Sequence, residues 1–209
     1  MYQNYNKFDT ANMEMAFITA NLSYCEKRKV GAVIVKEDRI IANGYNGTIS
    51  GDANICEDFT LTCNKCNTTH VFKNKPLNKV VYKDAFIKHT ELDKESLEYY
   101  KHKTDDGYFV KECQCGTTIK FTKEHLDLKS NINVIHAEQN AILFAARHGI
   151  SIKDATMFVT TAPCIECAKF IAGSGIKKVI WKDVYKNFDG VDYLQENGIE
   201  CYKYDIIRR

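Results

Sequence analysis

A chain of 209 residues and 23.9 kDa has room for one full domain with an embellishment, or for two small domains. With 44% hydrophobic and 27% charged residues it is neither a disordered tail nor a collagen-like fibre. Lys and Arg number 29 against 27 Asp and Glu, a net charge of +2, which lacks the surplus of a protein that coats polyanions.

In chain order, apolar residues recur at Met13, Ala16, Phe17, Ala20 and Tyr24, and predict an amphipathic helix over Ala11–Tyr24 capped by Asp9 or Thr10. The run Val30–Val35 (VGAVIV) and the segment Arg39–Ala42 flank Glu37-Asp38 and read as a hairpin, with a turn at Gly44–Gly47. Further on, a helix is expected over Ile135–His148, stopped by Gly149, then a strand over Thr156–Thr160. A helix over Cys164–Ala172 ends at Gly173 and Gly175. A strand over Lys178–Trp181, a short helix over Val191–Glu196 and a strand over Ile199–Tyr204 follow. This alternation predicts an α/β sheet covered by helices. No stretch approaches the roughly 18 apolar residues of a membrane span, and Met1–Lys7 is too polar to open a signal peptide.

Residues 61–125 break the alternation and read as an insertion, leaving 1–60 and 126–209 as the core. The insertion holds four of the nine cysteines, and its one convincing helix is Glu91–Lys103. It carries a faint repeat: Cys63-Asn-Lys-Cys66-Asn-Thr-Thr resembles Cys113-Gln-Cys115-Gly-Thr-Thr, and each run ends in Phe. An odd cysteine count, clustered pairs and no secretion signal favour thiolates on metal in a reducing, cytosolic compartment over a disulfide framework. Cys63, Cys66, Cys113 and Cys115 then form a Cys₄ structural zinc site resembling a zinc ribbon. Without metal so polar an excursion would struggle to offset its chain entropy.

The remaining pair, Cys164 and Cys167, follows Pro163 at a predicted helix start, where thiolate is favoured over thiol. Three apart, they share a face, and His136 at another helix start can complete three protein ligands, leaving a fourth zinc position for water. Glu138 stands two residues from His136, so both can face the metal only if the helix begins about there. A carboxylate beside activated water can take its proton and return it to a substrate nitrogen. H-x-E…P-C-x-x-C is the signature of zinc nucleobase deaminases. A purely structural Cys₂His site with a solvated Glu138 is the bland alternative.

The chain resembles the deoxycytidylate (dCMP) deaminases of the cytidine deaminase superfamily, most of all their phage type. The likeness rests on VGAVIV, on GYNG at Gly44–Gly47, on IHAEQNAILFAARHG at Ile135–Gly149, and on ATMFVTTAPCIECAK at Ala155–Lys169 followed by SGIKKVIW. It spans the core and not the insertion. It implies a three-layer α-β-α fold with a mixed five-stranded sheet. It also implies hydrolysis of dCMP to dUMP and ammonia, supplying thymidylate synthesis, in a homohexamer activated by dCTP and inhibited by dTTP. Relatives often carry proline after GYNG, where this chain has Thr48-Ile49-Ser50.

By the same resemblance, Asn46 contacts the deoxyribose, Lys27 or Arg28 meets the 5′-phosphate, Tyr185 closes over the nucleotide, and Arg147 takes part in nucleotide regulation. Each has a plainer role open to it: a turn asparagine, a solvated helix end, a core aromatic, and a cation at a helix C-terminus. The resemblance also suggests a further metal site from Cys25 and Cys56 with His125 or His70. Two other functions fit the motifs, a deaminase of bases within tRNA or another polynucleotide and a zinc-binding module with an inactive core. The low net charge speaks against the first and Glu138 against the second. No membrane or nucleic-acid partner is expected.

Overall fold

The structure, a computed structural model, describes residues 6–52, 54–72, 109–121 and 126–205. The expected helix over Glu91–Lys103 and His125 lie outside them. The chain divides into two compact units, residues 1–54 with 133–209, and residues 55–132.

The first unit opens with α1 (Lys7–Ala20), which starts earlier than expected because Asn6, not Asp9 or Thr10, is the cap. Asn6 Oδ1 accepts from the Phe8 and Asp9 N–H groups at 2.8 and 2.9 Å, and Asp9 returns a bond to the Asn6 N–H. Its buried residues are Met13, Ala16, Thr19 and Ala20; Phe17 is exposed, and Tyr24 lies beyond the helix, which ends at Ala20. Strands β1 (Gly31–Lys36) and β2 (Arg39–Tyr45) form the expected hairpin, turned by Glu37 and Asp38 at φ 51° and 59°. β2 runs on through Tyr45 and Gly47 forms an isolated bridge with Ile135, so the GYNG segment is extended rather than the expected turn.

After the second unit come α2 (Ala137–Arg147), β8 (Thr156–Thr161), α3 (Ile165–Gly173), β9 (Lys178–Asp183), α4 (Asp189–Glu196) and β10 (Glu200–Lys203). The sheet order is β10-β9-β8-β1-β2, parallel from β10 to β8 and antiparallel from β8 through β1 to β2. This is the mixed five-stranded sheet that the resemblance implies. Side chains alternate across it. Val33, Val35, Phe158 and Ile180 meet Met13 and Ala16 of α1 on one face. Ala32, Ile34, Met157, Val159 and Val179 meet α2, α3 and α4 on the other, through residues such as Ala141, Ile171 and Leu194. Burial on both faces explains why these strands read as continuous apolar runs.

Among the described residues, the second unit holds five strands that the sequence pattern does not announce. β3 (Glu57–Thr62) pairs antiparallel with β4 (Thr69–Phe72) and with β7 (Asp127–Ser130), and β5 (Phe109–Glu112) pairs with β6 (Thr118–Phe121). The boundary expected at residue 60 would cut β3, which pairs with β7 through residues 57–60 and with β4 through residues 59–62; the compact unit instead takes in 55–132. A small core of Phe59, Leu61, Phe121 and Leu126 backs these strands. No helix among the described residues is long and apolar enough to cross a membrane.

Candidate active site

β1 begins, β2 ends, and β8 and β9 end at one edge of the first unit's sheet, a consequence of their directions. Ligands of α/β sheets gather outside such strand ends. There α2 and α3 begin, and each opens on a metal-type ligand. His136 is the N-cap of α2 (φ −72°, ψ 158°) and Cys164 the N-cap of α3 (φ −74°, ψ 167°). Both are extended rather than helical, so their side chains are not bound to the helix period. This is how His136 and Glu138, two apart, can serve one site. Pro163 therefore precedes the cap rather than occupying the first turn.

Cys164 Sγ and Cys167 Sγ lie 3.5 and 3.3 Å from His136 Nδ1, and the three donor atoms all fall within 4.8 Å of one another. A tetrahedral zinc with its usual bond lengths needs ligand atoms about 3.5–3.8 Å apart, so the cluster fits the ion. Its protons are already unevenly held. A hydrogen bond with Cys167 and then the neighbouring His136 bring Cys164 down to about 4 against its burial. The same contact with Cys164, followed by burial, pushes the Cys167 thiol up, while the Cys164 contact raises His136. Glu138, 4% exposed, sits in the first turn of α2, and burial pushes its carboxyl up to about 7.

The helix starts are held closely. The His136 N–H donates to Gln139 Oε1 at 3.1 Å, and Asn140 Nδ2 donates to the Tyr45 carbonyl at 2.9 Å. A Cβ on Gly190 of α4 would lie 2.1 Å from the Pro163 oxygen and 2.7 Å from the Cys164 carbonyl carbon, so only glycine lets α4 approach this turn. None of these supporting residues was singled out in the sequence. For Gln139 the signal exists, a capping-box glutamine three residues after the cap.

Of the remaining expected residues, Lys27, Arg28, Asn46 and Tyr185 gather at the same sheet edge, while Arg147 stands at the opposite end of α2 from His136. Arg28 Nη1 donates to the Val184 carbonyl at 3.3 Å and its guanidinium lies 5.8 Å from the centre of the Tyr185 ring, so residues far apart in sequence meet. Asn46 holds the backbone: its Oδ1 accepts from the Val30 N–H and its Nδ2 donates to the Arg28 carbonyl, both at 2.8 Å. Lys27 precedes Arg28 on the same exposed loop, and Arg147 is exposed at the last turn of α2.

In the second unit, Cys63, Cys66, Cys113 and Cys115 place their sulfurs within 4.8 Å of one another, with Cys63–Cys115 at 3.8 Å and Cys66–Cys113 at 3.5 Å. These spacings also suit tetrahedral zinc. The faint repeat is a pair of matching turns. The Cys63 and Cys113 N–H groups donate to the Thr68 and Thr117 carbonyls, both at 2.9 Å, and Asn67 and Gly116 follow the second cysteine at φ 57° and 78°. The Thr68 and Thr117 hydroxyls lie 3.1 and 3.3 Å from Cys66 and Cys115, lowering both thiols, Cys115 to about 6. Among the described residues, Cys25, Cys56 and His70 belong to no such group.

An α/β sheet that sets His, Cys and Cys at two helix starts beside a buried glutamate defines the zinc-dependent deaminase class. The family model for the cytidine and deoxycytidylate deaminase zinc-binding region matches residues 6–182, and the chain belongs to that family as a deaminase. The deoxycytidylate deaminases of Enterobacteria phages T2 and T4 are each 38% identical to it, over 91% of this chain and 88% and 86% of theirs. The dCMP deaminase of cyanophage S-TIM5, solved in complex with dCMP and dUMP, is similar with a TM-score of 0.61 at 28% identity, covering 97% of this chain and 100% of that one.

Proposed function

We propose that this protein is a zinc-dependent dCMP deaminase that converts dCMP and water to dUMP and ammonia and so supplies thymidylate synthesis. The observation that carries the proposal is Glu138, buried at the first turn of α2 beside His136, Cys164 and Cys167. The 38% identity to named deoxycytidylate deaminases supports the substrate. Zinc held by His136, Cys164 and Cys167 supplies, when bound, the Lewis acidity that makes water nucleophilic at neutral pH. Glu138 takes one proton from the water as its oxygen bonds to C4 and passes it to the ring nitrogen. It then takes the second proton from the C4 hydroxyl and gives it to the amine, which leaves as ammonia as the C4–N bond breaks and the C4 carbonyl forms. Burial raises the Glu138 carboxyl and so favours its holding the proton between the two transfers. The Cys₄ group takes a second, structural zinc. Cys25 and Cys56 are assigned no metal.

Arg28, exposed beside Tyr185, and Lys27 next to it receive the 5′-phosphate, with Tyr185 lying over the nucleotide. The second amide hydrogen of Asn46 remains for the deoxyribose. A charge-assisted contact contributes about 1.5–3 kcal/mol, so deoxycytidine should be about 10- to 100-fold poorer than dCMP in kcat/KM. Arg28→Ala should narrow that gap, chiefly by slowing dCMP. Equal rates on the two substrates in the wild type would turn the assignment toward a nucleoside enzyme. Regulation belongs to the same proposal: in a homohexamer, dCTP activates and dTTP inhibits, with Arg147 contributing. An effector acts only by favouring one state of the assembly. The same assay with each nucleotide added reads both effects.

A further inference from the structure

We infer that Gln139 and Asn140 are positioning residues for deamination: their side chains fix the first turn of α2, and with it the directions of His136 and Glu138. This rests on the roles proposed for those two residues.

The first turn of a helix has unpaired N–H groups and frays unless it is held. His136, in extended conformation at the cap, therefore has no helical partner for its own N–H, as is also true of Cys164 at the cap of α3. Three contacts compensate, on three sides. Upstream, Ile135 and Gly47 exchange both backbone bonds, at 3.1 and 2.8 Å, which joins the residue before His136 to the GYNG segment. At the cap, Gln139 Oε1 takes the His136 N–H, which no helical partner can accept. Downstream, the half-buried Asn140 reaches from α2 to the Tyr45 carbonyl at the end of β2.

The fit between β2 and α2 is tight enough to transmit this hold. A Cβ on Gly44 would lie 2.4 Å from the Ala141 nitrogen and 2.5 Å from the Ala137 oxygen, so strand and helix touch backbone to backbone. The GYNG segment is itself pinned, because Asn46 bonds Arg28 and Val30 through its side chain, and Ser23 Oγ donates to the Asn46 carbonyl at 2.7 Å. The glutamate and the histidine are thus aimed by the sheet edge, through two side chains that belong to neither the metal cluster nor the proposed substrate contacts.

Asn140→Ala removes the carboxamide without adding charge or lowering helix propensity. Gln139→Leu removes the acceptor, whereas Gln139→Glu keeps one. A displacement of about 1 Å at reacting groups can cost 100-fold. In Asn140→Ala and Gln139→Leu we expect kcat on dCMP to fall roughly 10- to 100-fold while KM stays within about twofold, with kcat recovered in Gln139→Glu. Replacing zinc by Co²⁺ adds a readout independent of turnover: both damaging variants should shift the visible absorption bands as the His136 ligand turns. A cobalt spectrum unchanged in both variants overturns the inference. If Asn140→Ala fails to fold, the two Gln139 variants carry the test by the same criteria. A spectral shift together with no wild-type activity on dCMP would instead overturn the proposed substrate and leave the positioning role standing.

Discussion

Glu138→Gln is expected to abolish turnover while the protein keeps its full complement of zinc. Glutamine has the shape of glutamate and offers no acid or base, so the loss should be at least the roughly 10²- to 10⁴-fold typical of a positioned proton-transfer group. The substitution should be mild for folding. Burial already pushes the Glu138 carboxyl up to about 7, so its pocket accepts a neutral side chain. Steady-state rates on dCMP, beside metal analysis of the same preparation, check both halves. Near-normal activity, or loss of the ion, would remove Glu138 from its role.

The second large effect concerns the Cys₄ group. Wild-type protein washed with chelator should retain two zinc ions per chain, and Cys113→Ser with Cys115→Ser should retain one. Structural zinc contributes about 10–16 kcal/mol in small zinc-finger peptides. Among the described residues, the apolar core of the second unit is Phe59, Leu61, Phe121 and Leu126, each worth about 1.5–3 kcal/mol. Metal is therefore a principal support of this unit, and its loss should expose 55–132 to limited proteolysis. The first unit has its own sheet and cores on both faces. Its zinc should survive the double substitution and be lost in Cys164→Ser. A wild-type content of one zinc per chain would refute the second site.

Much of the first unit was legible because its elements bury apolar faces in regular patterns. VGAVIV, the run ending in TTAPC and KVIW are strands covered on both faces, and such strands are near-continuous apolar runs. The short polar strands β3 to β7 leave no such pattern; two cysteine turns join β3 to β4 and β5 to β6, and the described apolar core behind them is small. The helix starts were misjudged by a few residues where a cap lies outside the helix, as Asn6 does for α1.

The sequence alone identified the candidate site. His136, Glu138, Cys164 and Cys167 are read from residue type and short spacing, which depend on local geometry at two helix starts. The pairing of two threonine-bearing cysteine turns was also visible as a repeat. Only the tertiary structure decided which distant residues share an edge. It brought Arg28 to Tyr185, spent much of the Asn46 carboxamide on the backbone of residues 28 and 30, and joined Asn140 of α2 to the Tyr45 carbonyl at the end of β2. The reason is physical. Local spacing follows the 3.6- and 2-residue periods of the chain, whereas contacts between strand ends depend on sheet order and register, which no single segment encodes.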